Sequence, residues 1–241
     1  VTRLTNWWAR LRARLLQTTP GSTPKPHQES TAPSRPASVK ILVVVEGIWD
    51  IAFLKRISAI LHQDDLRLPD LIALERRGEL VFVPFGGGDF GAWPYRLAGL
   101  GLIEFHLYDR DVPPVSPLRH AAADLVNRRP HCRASVTKKR ALENYLHTDA
   151  LREARGVEIQ FGDDDPVADV AAQAEYLRRG GAIPWRELTS RARKRQRNRA
   201  KQWLNAVAVD RMTVERLAAR DSDGEVRGWL GTIAGLQADI P

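Results

Sequence analysis

Five consecutive apolar residues, Ile41-Leu42-Val43-Val44-Val45, stop abruptly at Glu46-Gly47. The run is mostly β-branched and does not alternate with polar residues, so it predicts a strand covered on both faces. Strands of that kind belong to parallel sheets sandwiched between helices. The next segment keeps to this expectation, because Ile51, Phe53, Leu54, Ile57, Ile60 and Leu61 recur at helical spacing within 48–61. A second strand over 80–83 is halted by Pro84 and by Gly86-Gly87-Gly88, and a loose helix follows over 90–100. A third strand, Ile103–Tyr108, ends at Asp109; a helix over 117–127 and a fourth strand, Cys132–Val136, complete a β-α-β-α-β-α-β order. That order predicts an α/β fold with a doubly wound, mainly parallel four-stranded sheet.

Four acids fall where such a sheet places its chemistry. The functional crevice of an open parallel sheet lies beyond the carboxyl ends of its strands. Glu46 and Asp109 sit at that edge, Asp50 follows Glu46 by one helical turn, and Asp111 closes an Asp-Arg-Asp turn. Any one of them alone reads as a turn former or helix cap. Together they crowd negative charge into a small volume, which hard cations neutralise; one or two Mg²⁺ or Mn²⁺ ions are the expected cofactors. The glycines 86–88 admit two readings, a backbone approach to phosphate or simple positive-φ turn geometry.

The stretch Val44-Val45-Glu46-Gly47-Ile48-Trp49-Asp50, with Asp109-Arg110-Asp111 later, resembles the TOPRIM domain of primases, topoisomerases and OLD-family nucleases over about 39–146. The resemblance implies metal binding by Glu46, Asp50, Asp109 and Asp111. Within the superfamily, Phe85-Gly86-Gly87-Gly88-Asp89-Phe90 and Lys138-Lys139-Arg140-Ala141-Leu142-Glu143-Asn144-Tyr145-Leu146 are most similar to OLD-type nucleases. That likeness implies a catalytic lysine, Lys139 or Lys138, and a further acid, Glu143, at or next to the metal. It implies phosphodiester hydrolysis with Glu46, Asp109, Asp111 and Lys139 as the catalytic set. No G-x-x-x-x-G-K-[ST] occurs in the chain. An ATPase usually accompanies this type of TOPRIM unit, so the resemblance implies either an enzyme that works alone or, the favoured expectation, an ATPase on a separate subunit, in a defence or mobile-element setting.

Charge points the same way. A formal net charge of +8 favours polyanionic partners. Arg186 to Lys201 is so dense in cations that no face of a helix drawn through it is free of them. Arg193, Lys194, Arg195, Arg197 and Arg199, with Lys138 and Arg140, are the expected phosphate contacts, DNA being favoured over RNA. Two other readings stay open: a non-catalytic nucleic-acid-binding or assembly module, and an RNA-processing TOPRIM nuclease. Oligomeric state is also open, with a second copy of the chain among the candidate partners.

The expected organisation is a basic amphipathic helix over 1–17, a linker over 18–38, the TOPRIM-like domain over 39–147 and a helical lobe over 148–241. In the first segment Leu4, Trp7, Trp8, Leu11 and Leu15 form one stripe, with Arg3, Arg10, Arg12 and Arg14 largely elsewhere. The second is rich in Pro, Ser and Thr, too polar to order itself. In the lobe, helices are expected over 142–155, 166–179, 184–209 and 213–237, the last broken near Asp223-Gly224, with an alternating stretch at 157–161. Asp163-Asp164-Asp165 reads as capping acids. His106 reads as a core histidine, and Trp185, Trp203 and Trp229 as core anchors. No run approaches the ~20 apolar residues of a membrane span. Arginines interrupt the first seventeen residues, and the single cysteine excludes an internal disulfide. The expected location is the cytoplasm, with no secretion signal.

Overall fold

The computed structural model describes residues 39–86 and 91–238. The amphipathic stripe at 1–17, the linker at 18–38 and the loop residues Gly87 and Gly88 lie outside these residues. Four strands, β1 (Ile41–Val45), β2 (Leu80–Pro84), β3 (Ile103–Tyr108) and β4 (Cys132–Val136), form one parallel sheet in the order β2-β1-β3-β4. β1 and β3 are adjacent, Val43 pairing in register with Phe105. Strand order reverses there: the chain leaves β1 toward β2 on one side and returns past it to β3 on the other.

Nine α-helices surround the sheet among the described residues: α1 (Ile48–Asp64), α2 (Leu71–Arg76), α3 (Trp93–Arg96), α4 (Ser116–Asn127), α5 (Thr148–Arg155), α6 (Val167–Arg178), α7 (Ser190–Trp203), α8 (Val214–Arg220) and α9 (Glu225–Ala238). The period-2 pleat divides β1 between two cores. Ile41, Val43 and Val45 join Phe53, Leu54, Ile57 and Leu61 of α1 and Trp229, Leu230 and Ile233 of α9 in a large cluster. Val44 faces the other way, toward Phe85, Tyr108, Ala122 and Ala123. Every residue of β1 is buried, as an unbroken apolar strand requires.

The same pleat gives β3 a polar face. Glu104, His106 and Tyr108 are fully buried on one side. His106 Nε2 meets Glu104 Oε2 at 2.7 Å and its Nδ1 meets the Tyr108 hydroxyl at 2.8 Å, while Arg129 clasps Glu104 with both terminal nitrogens. Burial lowers the His106 pKa despite Glu104 beside it, so His106 is a hydrogen-bonded core residue.

Helix boundaries in the lobe depart from the sequence pattern. The helix expected over 142–155 is a 3₁₀ turn, Leu142–Tyr145, followed by α5. Asn144 decides this: its buried amide accepts from the Ala141 N–H and donates to the Gly162 and Asp165 carbonyls, holding the turn open. No strand forms at 157–161, where Val157 and Phe161 are both buried in the main core. The loose helix of 90–100 is reduced, in its described part, to α3 and a 3₁₀ turn ended by Gly101 at φ 63°. α2, capped by Asp70, is an addition to the expected elements. Asp163, Asp164 and Asp165 do not cap α6: Asp163 and Asp164 pair with Lys139 and Arg110, and Asp165 accepts from Gly162 N–H at 2.7 Å. Trp203 and Trp229 are buried anchors, and Trp185 packs on Tyr176 at 5.6 Å.

Candidate functional site

The acids gather where strand order reverses. Glu46 leaves the end of β1 and Asp109 the end of the adjacent β3. Gly47 caps α1, and Asp50, three residues into the turn, accepts the Gly47 N–H at 2.8 Å. That contact folds the Asp50 carboxylate back toward the strand end. Asp109 accepts the Leu142 N–H at 3.1 Å, which draws the 3₁₀ turn over it and brings Glu143 alongside. Asp50, Asp109 and Glu143 are all buried.

The lobe supplies the facing wall. Lys201 of α7 places its ammonium 3.8 Å from Glu143 Oε1, and Asn205, four residues on, donates to the same oxygen at 2.9 Å. Asn205 is fully buried in a π-helical segment, Leu204–Ala208, a widened turn of the kind that recurs at functional sites. A cleft of about 350 Å³ opens between sheet and lobe, lined by Glu46, Asp109, Asp111, Arg140, Glu143, Arg197, Asn198 and Lys201 among others.

The electrostatics are those of acids held against their own preference. Burial, then repulsion from Glu143 and Glu46, pushes the Asp50 carboxyl up to about 7. Burial and the neighbouring Asp50, Glu46 and Glu143 hold Asp109 well above the usual carboxylate range. The Lys201 ammonium is stabilised in return, chiefly by Glu143 and further by Asp109, Asp50 and Glu46. Asp111 stands slightly apart. Its backbone takes the left-handed region at φ 56°, which aspartate tolerates better than most residues, and its N–H donates to the Arg140 carbonyl at 2.8 Å. Its carboxylate turns to Arg119 of α4, whose Nη2 donates to Asp111 at 2.8 Å and also to Glu46.

The donor set suits a hard divalent cation in type: all oxygen, all carboxylate, mutually repelling, with Asp50, Asp109 and Glu143 buried. Among the described residues no three His, Cys, Asp or Glu side chains are arranged to hold one ion together. Mg²⁺ does not need three, since it commonly keeps several waters and takes one or two carboxylates beside substrate phosphate. Glu46 with Asp109, or Asp109 with Asp50, would serve.

No protein-family model matches the chain, and no curated protein matches it. Among solved structures it is similar to the C-terminal region of the Xanthomonas campestris pv. campestris OLD protein. The structure phased with iodine has TM-score 0.48 and 14% identity, over 84% of this chain and 97% of that one. The structure phased with platinum has TM-score 0.46 and 12% identity, over 83% and 94%.

The expected residues separate into three groups. Glu46, Asp50, Asp109 and Glu143 come together, with Asp111 at the rim. Arg140 and Arg197 also line the cleft, Arg197 reaching Asp169 at 3.4 Å, while Arg193, Lys194, Arg195 and Arg199 are exposed along α7. Lys138 and Lys139 lie elsewhere. Lys138 pairs with Asp223 at 2.7 Å, Lys139 with Asp163, and both line a second cavity of about 310 Å³ with Arg220 and Glu225. Gly86 takes φ 73° and its N–H donates to the Glu46 carbonyl at 2.8 Å, which is turn geometry.

Three participants are absent from the expected set: Lys201, Asn205 and Arg119. Lys201 is the last cation of a run that reads as a platform for phosphates, although Ala200 and Trp203 beside it are buried. Arg119 carries a usable signal. It falls on the stripe of Ala122, Ala123 and Val126, the buried face of α4, where an arginine needs a carboxylate partner.

Proposed function

We propose that the chain is a Mg²⁺- or Mn²⁺-dependent nuclease of the OLD-like TOPRIM type, hydrolysing phosphodiester bonds of DNA, with RNA the second candidate. The observation that carries this reading is the buried group Asp50, Asp109 and Glu143 with Glu46 at a parallel-sheet switch point, where burial and the acidic neighbours raise the proton affinity of Asp50 and Asp109. A folded chain gains nothing in stability from such crowding, so a bound cation is its natural use. The motif resemblance, the net charge of +8 and the cation-rich α7 agree with a nucleic-acid substrate.

Glu46, Asp109, Asp111 and Asp50 would hold the ion, with Glu143 beside them. When bound, such an ion supplies Lewis-acid polarisation of a phosphoryl oxygen and a more acidic water. Lys201, in the cleft wall, is placed to stabilise charge gathering on the non-bridging oxygens. Asn205 holds Glu143 in its orientation. Arg197 and Arg140 on the cleft rim would seat flanking phosphates, and the exposed Arg193, Lys194, Arg195 and Arg199 would extend that track without reading sequence. A separate ATPase subunit, a defence or mobile-element role and a cytoplasmic location complete the proposal. Among the described residues, no helix is long and apolar enough to cross a membrane.

One observation favours a second reading. Arg119 and Lys201 already supply cations to these acids, as in a salt-bridged binding module whose chemistry resides in a partner. A cleavage assay separates the two. Supercoiled DNA, single-stranded DNA and tRNA are incubated with the chain in Mg²⁺ or Mn²⁺, with and without a candidate ATPase. Metal-dependent cleavage that disappears in folded Asp109→Ala and Glu46→Ala is expected. Undiminished cleavage by both variants refutes the site, and binding without any cleavage selects the second reading.

A further inference from the structure

Arg119 stands between two of the acids that the proposed metal chemistry needs. It projects from α4, on the side of the sheet that holds Val44 and Tyr108, and its side chain is only 3% exposed. One nitrogen, Nη2, donates both to Glu46 at the end of β1 and to Asp111 just beyond the end of β3. A single guanidinium thus ties the two central strands together at their functional edge. Glu46 and Asp111 keep 23% and 35% of their side chains exposed, so both can be reached from the cleft.

An arginine cannot leave such a site by losing its proton, because guanidinium stays charged at any working pH. It is a fixed positive charge, already satisfying the two acids that a divalent ion would otherwise find uncompensated. Two cations that share ligands compete, and the competition is reciprocal: whatever the guanidinium gains from Glu46 and Asp111, the ion must overcome. Asp50, Asp109 and Glu143 repel one another as well.

Resting on the metal-site reading above, we propose that Arg119 is a built-in counter-cation that competes with the divalent ion for Glu46 and Asp111 and so sets the ion concentration at which the site loads. It is a positioning residue: it holds the two carboxylates in place while the site lacks its ion and yields one or both when the ion binds.

The test is calorimetric titration of Mn²⁺ into the full 241-residue chain, comparing wild type, Arg119→Gln and Asp109→Asn. Arg119→Gln is expected to bind Mn²⁺ more tightly by about tenfold, within the usual range of couplings between linked sites. Asp109→Asn is expected to lose binding. If wild type binds and Arg119→Gln binds equally or more weakly, the counter-cation is overturned while the metal site stands. If neither binds, both fall together.

A second measurement needs no stable variant with glutamine. In the wild-type protein the Arg119 Nε–H resonance, assigned by its disappearance in Arg119→Lys, is expected to shift in step with Mg²⁺ occupancy. A resonance that stays fixed while Mg²⁺ saturates the chain overturns the proposal. A purely structural Arg119 would change stability and leave both ion affinity and this signal unmoved.

Discussion

Replacing Asp50 with Asn tests the claim that the carboxylate group is held against its own repulsion. Asp50 is 8% exposed, and its carboxyl is pushed from 3.8 to about 7 by burial and by its acidic neighbours. Each pH unit of difference between folded and unfolded chain is worth about 1.4 kcal/mol, so ionising Asp50 in the folded protein costs ~4 kcal/mol. The folded state binds this proton more tightly than the unfolded state. Stability is therefore lost as pH rises from about 4 to about 7, and stays low above that. Asparagine mimics the neutral acid and still accepts the Gly47 N–H. Urea denaturation of wild type and Asp50→Asn in chelator at pH 4.5, 6 and 8 should show the variant's advantage growing by about 3 kcal/mol across that range. Saturating Mg²⁺ should narrow the gap at pH 8. Wild type gains about 2.7 kcal/mol at a hundredfold excess over its dissociation constant, and the variant, lacking a carboxylate, gains less. Stability curves that stay parallel from pH 4.5 to 8 refute the reasoning, because the Asp50 charge would then cost nothing on folding.

Lys201→Met should lower metal-dependent cleavage by about 10²–10³-fold with substrate binding retained, as for loss of one group that stabilises transition-state charge; Lys139→Met, in the second cavity and paired with Asp163, should do so only weakly, and the reverse ranking would restore Lys139 as the catalytic lysine. Neutralising Arg193, Lys194, Arg195 and Arg197 with glutamine should flatten the salt dependence of DNA binding by roughly 0.9 logarithmic units for each phosphate that is no longer neutralised. An unchanged slope removes α7 from the nucleic-acid path. Glu104→Ala should destabilise the chain by about 3–5 kcal/mol, because it strands Arg129 and His106 without their buried carboxylate. Thermal denaturation reads this directly, and a loss below about 1 kcal/mol would make that network incidental.

The division between what the sequence carries and what the fold decides is physical. Glu46 and Asp109 could be placed from the sequence because β1 is a continuous apolar run, β3 alternates apolar residues with Glu104 and His106, and each strand is followed at once by an acid, and a parallel sheet brings such ends to one edge. β3 and β4 have the limits that their composition predicts. Asp50 followed from helical periodicity alone. Glu143 came only through the resemblance of its segment, and the fold puts it beside Asp109 by closing a 3₁₀ turn over that carboxylate.

Periodicity and composition report a residue's own environment along the chain, so the sequence by itself determined the sheet, its carboxyl edge and the first acids on it. It could not say which cations would face them. Arg119 reaches Glu46 across 73 residues and Asn205 reaches Glu143 across 62, and neither separation leaves a local pattern. Lys138 and Lys139 were the nearer candidates by motif, yet the turn held by Asn144 and the acids at Asp163 and Asp223 directs them to a second cavity. Only tertiary packing, by docking α7 over the strand ends, decided that Lys201 is the lysine that meets the carboxylates. The reason is that a charge's partner is chosen by which surfaces the core brings together, and that is a property of the whole fold.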